Sequence, residues 1–165
     1  MNTNTFKAPW GKALRWMSAA SSLIILAATI PLLLGITPDF LRWLGLLPLL
    51  LVLGAALFVI RSYTIEPNAL AIQRLFWTTR LPLSGLQSAE VIPSAMSRSL
   101  RLCGNGGLFS FTGWYRSRTL GKYRAFVTDL TQTVVLRFPQ RTIVVSPEKP
   151  EQFVAEIFQF AFRTS

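Results

Sequence analysis

One cysteine, seven carboxylates and no histidine are what the chain holds of the side chains that most often do nucleophilic, acid–base and metal chemistry. Without histidine there is no Ser-His-Asp triad and no His-ligated metal centre. A single cysteine builds neither an internal disulfide nor a thiolate zinc site. Arg101 lies near Cys103 in the chain and favours its thiolate, but no base stands ready to activate it, so Cys103 reads as a packed or idle thiol. Glu148 and Glu151 could be an acid–base pair. Their setting in Pro147-Glu148-Lys149-Pro150-Glu151 makes them helix-start residues facing the positive end of the helix dipole. Asp129, in Asp129-Leu130-Thr131-Gln132, is a turn residue. No catalytic residue, no metal and no cofactor are expected.

Two glycine strings invite a phosphate-cradle reading. Gly104-Asn105-Gly106-Gly107-Leu108-Phe109 starts like a dinucleotide fingerprint but ends in Phe and has no βαβ context. Gly121-Lys122 is followed by Tyr123 rather than Ser or Thr, and position 116 is Arg, so it is not a Walker loop. The segment Arg98–Gly121, with its interleaved Phe109, Phe111, Trp114 and Tyr115, is expected to be a long structural hairpin.

The cations of that stretch are the remaining candidates. No acid occurs from 91 to 128, yet Arg98, Arg101, Arg116, Arg118, Lys122 and Arg124 all fall there. On a strand, 122 and 124 project to one face, and the preceding loop can bring 116 and 118 near them. These six are the candidate site for anionic head groups or an acidic partner; the bland alternative is a solvated positive face. A net charge of +10 and a pI of 11.1 raise nucleic-acid binding. Cationic flanks of membrane segments account for part of that charge without it.

What positions these residues begins with two uncharged runs, 16–38 and 43–60, rich in Leu, Ile, Val and Ala. Each is long enough to cross a ~30 Å hydrocarbon core, and neither has a polar face. A cleaved signal peptide is the alternative, but the first run is long for one and ends in Gly35-Ile36-Thr37-Pro38 with no small-x-small site. We expect a tail over 1–15, a transmembrane hairpin over 16–60 with helices at about 16–36 and 43–60, and a soluble domain over 61–165. Lys7, Lys12 and Arg15 precede the first run, and Arg61, Arg74 and Arg80 follow the second. By the positive-inside rule both termini are cytoplasmic. Trp10, Trp16 and Trp43 fall at interface levels. The spans hold no Asp, Glu, Lys, Arg, Asn or Gln, which suits an anchor rather than an ion path.

Beyond residue 60 the apolar period becomes that of strands. Tyr63–Glu66 and Leu70–Arg74 flank a Pro67-Asn68 turn as hairpin arms. Phe76–Leu83, Leu86–Ile92 and Lys122–Thr128 read as further strands. Thr133–Phe138 pairs with Thr142–Val145 across Pro139-Gln140. Phe153, Ile157 and Phe160 then repeat at helical spacing, so one helix closes an otherwise all-β domain.

The strings Gly104-Asn105-Gly106-Gly107-Leu108-Phe109, Gly113-Trp114-Tyr115, Leu120-Gly121-Lys122-Tyr123 and Val127-Thr128-Asp129 resemble the signature of the bacterial pleckstrin-homology-like (PH-like) domains. Ile143–Pro147 and Glu151–Val154 resemble that family's last strand and helix start. Lys149 departs from the acidic cap more usual there. The resemblance covers about residues 62–160. It implies a PH-like seven-stranded bent β-barrel with a C-terminal helix; together with the two apolar runs, the expected fold is a membrane-anchored α+β protein, two transmembrane helices followed by that barrel. The resemblance implies no catalysis and supplies no site residues. Eukaryotic PH domains bind phosphoinositides through basic strand-loop residues, but a shared fold does not transfer that ligand.

The expected function is a non-catalytic binding or scaffolding module, multi-pass in the bacterial inner (plasma) membrane, with its domain at the cytoplasmic face. Its expected partners are membrane lipid, anionic head groups, and a protein partner or further copies of itself. The alternatives are a membrane-embedded lipid-modifying enzyme, for which no site is visible, and a basic nucleic-acid-binding module.

Overall fold

Alternation and turn chemistry decide most of the elements. The structure, a computed structural model, describes residues 4–34 and 46–162. Among these the order is β1 (Asn4–Lys7), α1 (Lys12–Leu33), α2 (Leu46–Ala56), β2 (Ile60–Glu66), β3 (Ala69–Arg74), β4 (Thr78–Pro82) and β5 (Ser88–Val91), followed by β6 (Leu100–Gly106), β7 (Phe111–Ser117), β8 (Gly121–Val127), β9 (Val134–Arg137), β10 (Thr142–Val145) and α3 (Pro150–Phe162). The hairpin over Pro67-Asn68 forms as expected, with Ile65 opposite Leu70 and Tyr63 opposite Ile72. So does the pair β9–β10, with Val135 opposite Val144. The segment 98–121 supplies β6 and β7, an antiparallel hairpin.

The strands make two sheets, not the closed seven-stranded barrel expected. One sheet runs β1-β2-β3-β4 and the other β5-β9-β10-β8-β7-β6. The break falls after β4. Pro82 has no N–H to continue a ladder, and a turn closed by Leu86 N–H on the Leu83 carbonyl carries the chain to β5, which pairs with β9. In the second sheet β10 runs parallel to β8 and antiparallel to β9.

The second sheet is covered on both sides. Between the sheets, Phe126, Leu136, Ile143 and Val145 pack with Tyr63, Ile65, Leu70 and Ile72, and α3 adds Phe153 and Ile157. On the other side Tyr115, Tyr123, Ala125, Val135 and Val144 pack with Leu14 and Met96. Burying one such apolar side chain contributes roughly 1.5–3 kcal/mol.

Residues 4–15 are therefore not a free tail. Asn4–Lys7 adds an edge strand to β2, with Phe6 opposite Tyr63, and Phe6 meets Phe153 edge-on at 5.3 Å. The helix starts at Lys12, earlier than the expected 16, and Leu14 in its first turn is fully buried in the domain. It holds Pro31 within its last turn.

By length and composition alone, one helix matches the expected spans. Lys12–Leu32 is long and apolar enough to cross a bilayer. The second helix, as described, covers 11 residues and ends at Ala56 rather than 60, short of the ~20 residues a crossing needs. Its expected last turn is lost because Ile60 is drawn into β2 opposite Arg74. The expected turn at 37–39 and the start of the second span at 43–45 lie outside the described residues.

Candidate functional site

The ladder of β7 and β8 gathers part of the predicted cation cluster. Arg116 stands opposite Lys122, and Trp114 opposite Arg124. Residues 114 and 116 share one side of β7, as 122 and 124 do on β8. The ammonium of Lys122 lies 4.8 Å from the Trp114 ring centre, and the Arg124 guanidinium 4.9 Å from that of Phe126. On β6, Leu100 is opposite Arg116, and both Leu100 and Leu102 are exposed. Cations thus stand beside exposed leucines on one sheet. Arg118 is in the β7–β8 turn, exposed. Arg101 is opposite Tyr115, so it points to the other side of the sheet, beside Gly106. Arg98 sits in the β5–β6 connection. Of the six, three share a strand face, and Arg118 caps its end. Arg80 pairs with Glu66 at 3.3 Å on the first sheet. Among the described residues none of the six cations has a carboxylate partner.

A groove that the sequence did not announce opens at one end of this face. Its volume is about 460 Å³, and Ala55, Phe58, Arg74, Cys103, Trp114 and Arg124 contribute to its walls. Arg74 is the unexpected member. It follows Leu70 and Ile72 at strand spacing and so points between the sheets, only 7% exposed. Its guanidinium is ringed by Phe58, Trp77 and Phe126, at 5.3, 5.6 and 5.6 Å from their centres. One N–H reaches the Phe58 carbonyl at 3.5 Å, a long contact. Its Nε is buried and has no partner. Burial, and then Arg124 close by, push the Arg74 pKa down. The alternation of Leu70, Ile72 and Arg74 is the signal that could have marked it.

The other candidates have structural settings. Cys103 is a free thiol, exposed on β6. The Asp129 carboxylate accepts the N–H and hydroxyl of Thr131 at 2.9 and 2.7 Å, closing the expected turn. Glu151 lies in the first turn of α3, and the Glu148 N–H donates to the Lys7 carbonyl. Among the described residues no group of three or more Cys, Asp or Glu could hold a metal ion. Buried tyrosines hold the frame. The Tyr63 hydroxyl donates to the Phe126 carbonyl at 2.7 Å, and burial lifts its pKa to about 12. Tyr115, stacked on Tyr123, is likewise lifted by burial to about 12.

A family model described as Bacterial PH domain matches residues 61–160, more than half of the chain. The chain belongs to the bacterial PH domain family. PH domains are in general non-catalytic modules that bind lipid head groups or proteins. Nothing among the curated proteins and nothing among the solved structures matches this bacterial PH domain. The matched residues exclude β1 and α1, which the structure nevertheless packs into the domain.

Proposed function

We propose that this bacterial PH domain is a membrane-anchored, non-catalytic binding and scaffolding module at the cytoplasmic face of the inner membrane. The observation that carries the reading is the pairing of β1 with β2. β1 precedes the apolar helices and β2 follows them, so both flanks of the helical segment lie on one side of any membrane the helices enter. A single crossing is incompatible with that ladder; a return through the whole apolar run 43–60, of which Leu46–Ala56 is the described helix, satisfies it. Contact between α1 and α2 supports a hairpin. Lys7, Lys12 and Arg15 on one flank and Arg61 and Arg74 on the other support a cytoplasmic domain. The groove reaches the last turn of α2 at Ala55, so the cationic face begins where the apolar helix ends.

The test is cysteine accessibility in spheroplasts. A membrane-impermeant maleimide is expected to miss Cys103 until the membrane is permeabilised. It is expected to label Asp39→Cys, in a Cys103→Ser background, in intact spheroplasts. Reversed labelling overturns the topology and the location together.

A further inference from the structure

Arg74 and Arg124 reach the same ring from two sheets. Arg74 comes from the end of β3, Arg124 from the exposed start of β8, and both guanidinium groups stand within 5.6 Å of the Phe126 centre. Two like charges on one ring repel, and no carboxylate pairs with either among the described residues. The three rings around Arg74 satisfy the faces of its guanidinium. They do nothing for the N–H groups in its plane, and a buried donor without a partner is costly. The Nε of Arg74 is such a donor.

The cavity beside these two groups has walls of different chemistry. Arg74, Arg124 and Asn105 bring polar atoms; Ala55, Phe58 and Trp114 bring apolar surface. Ala55 and Phe58 belong to the end of the apolar α2 and the turn after it. A ligand suited to this groove carries an anion of several oxygens that can take two guanidinium forks at once, which is the property of phosphate. It also carries an apolar portion that runs along the helix. We infer that the groove is a phosphate site, occupied by the head group of an anionic phospholipid from the leaflet that the helices enter. This rests on the membrane reading above and adds to it a ligand class and a pair of ligating residues, one of which, Arg74, lies outside the predicted cluster.

The experiment uses the full chain, purified in detergent, stripped of lipid and offered phosphatidylglycerol or phosphatidylcholine, with retained lipid counted by native mass spectrometry. One phosphatidylglycerol per chain is expected, with phosphatidylcholine retained at least about tenfold less because its choline meets two guanidinium groups. Arg74→Gln and Arg124→Gln are each expected to lower phosphatidylglycerol occupancy about tenfold, whereas Arg80→Gln, on the first sheet and paired with Glu66, leaves it unchanged. Arg74 is buried and its loss can unfold the chain; Arg124 is exposed, so Arg124→Gln carries the test alone. Undiminished retention by a folded Arg124→Gln overturns the inference. A second arm offers inorganic phosphate and follows thermal stability. Stabilisation of the wild type that is lost in Arg124→Gln, without lipid retention, overturns the lipid as occupant in favour of a soluble phosphate. Carbonate extraction of cell membranes separates the two readings. A chain that washes off overturns the anchor, while a chain that stays but retains no phosphatidylglycerol overturns the groove alone.

Discussion

The hydroxyl of Ser18 accepts the backbone N–H of Phe109 at 2.9 Å and donates to the Gly107 carbonyl at 3.1 Å. One buried side chain of α1 thereby closes the β6–β7 turn, 91 residues further along the chain. Trp10 meets Phe109 at 6.1 Å from the same side. With Leu14 in the core, the first two turns of α1 belong to the folded domain. Ser18→Ala leaves a buried N–H and carbonyl without partners, at an expected cost of about 1–3 kcal/mol. Denaturant midpoints of the full chain in detergent measure the loss, and amide exchange at Phe109 is expected to quicken. An unchanged exchange rate at Phe109 contradicts the clamp.

Gly104 and Gly113 face one another across β6 and β7, each with positive φ, 113° and 140°. A Cβ on Gly104 would collide with the Thr112 carbonyl, and one on Gly113 with the Cys103 carbonyl. The obstruction is backbone on both sides and cannot swing away. Gly104→Ala and Gly113→Ala are each expected to cost more than about 3 kcal/mol, above the usual range for single substitutions. Gly54→Ala, where a Cβ meets nothing, is the control. A thermal midpoint for Gly113→Ala close to that of Gly54→Ala would sink this account.

The elements legible in the sequence are those whose cues are local. The β2–β3 and β9–β10 hairpins carry both arms and their turn within a short window, and α3 announces itself through Phe153 and Ile157. β1 has no such cue: Asn4–Lys7 becomes a strand only because β2 offers an edge, with Thr5 reaching Thr64 at a separation of 59 residues. The β2–β3 pairing, with Ile60 opposite Arg74, pulls Ile60 out of the apolar run that hydropathy alone extends to residue 60. The cation cluster was visible as composition, but which members share a face depends on the β7–β8 register, and that sets Arg101 apart from Arg116 and Lys122. In the sequence Arg74 reads as a flanking charge, because its surroundings depend on where the second sheet's Phe126 and Arg124 lie.

Tyr63 makes stability depend on alkaline pH. A tyrosine in the unfolded chain ionises near 10, whereas burial holds the Tyr63 phenol neutral to about 12. Between those values the folded state binds the proton that the unfolded state has released, so stability is complete below pH 10 and falls as pH rises. The slope is roughly 1.4 kcal/mol per pH unit for each such group. Tyr115, also lifted to about 12, adds to it. Tyr63→Phe is expected to cost about 1 kcal/mol at pH 7 through the lost bond to the Phe126 carbonyl, and to flatten the alkaline fall. Urea midpoints of both proteins from pH 8 to 11 check this; parallel curves would show that Tyr63 does not carry the effect.

The last expectation concerns the sheet face formed by Arg116, Lys122 and Arg124, with Arg118 at its end. Each cation near an anionic leaflet is worth ~1 kcal/mol, so four contribute about 4 kcal/mol together. That is too little to hold a free protein firmly but enough to orient a tethered one, with Leu100 and Leu102 exposed on the neighbouring strand. The full chain is the proper reagent, because a fragment from residue 61 lacks β1 and Leu14. A fluorophore on Thr119→Cys, in a Cys103→Ser background, reports the β7–β8 turn in nanodiscs carrying head-group-labelled quencher lipid. Stronger quenching is expected in anionic than in neutral nanodiscs. Salt at about 1 M, where the Debye length is about 3 Å, is expected to abolish the difference. Replacing all four cations by Gln is expected to do the same at low salt. Equal quenching in both lipids for the wild type would leave this face to a protein partner, and a difference that survives salt would point to the leucines instead of the charges.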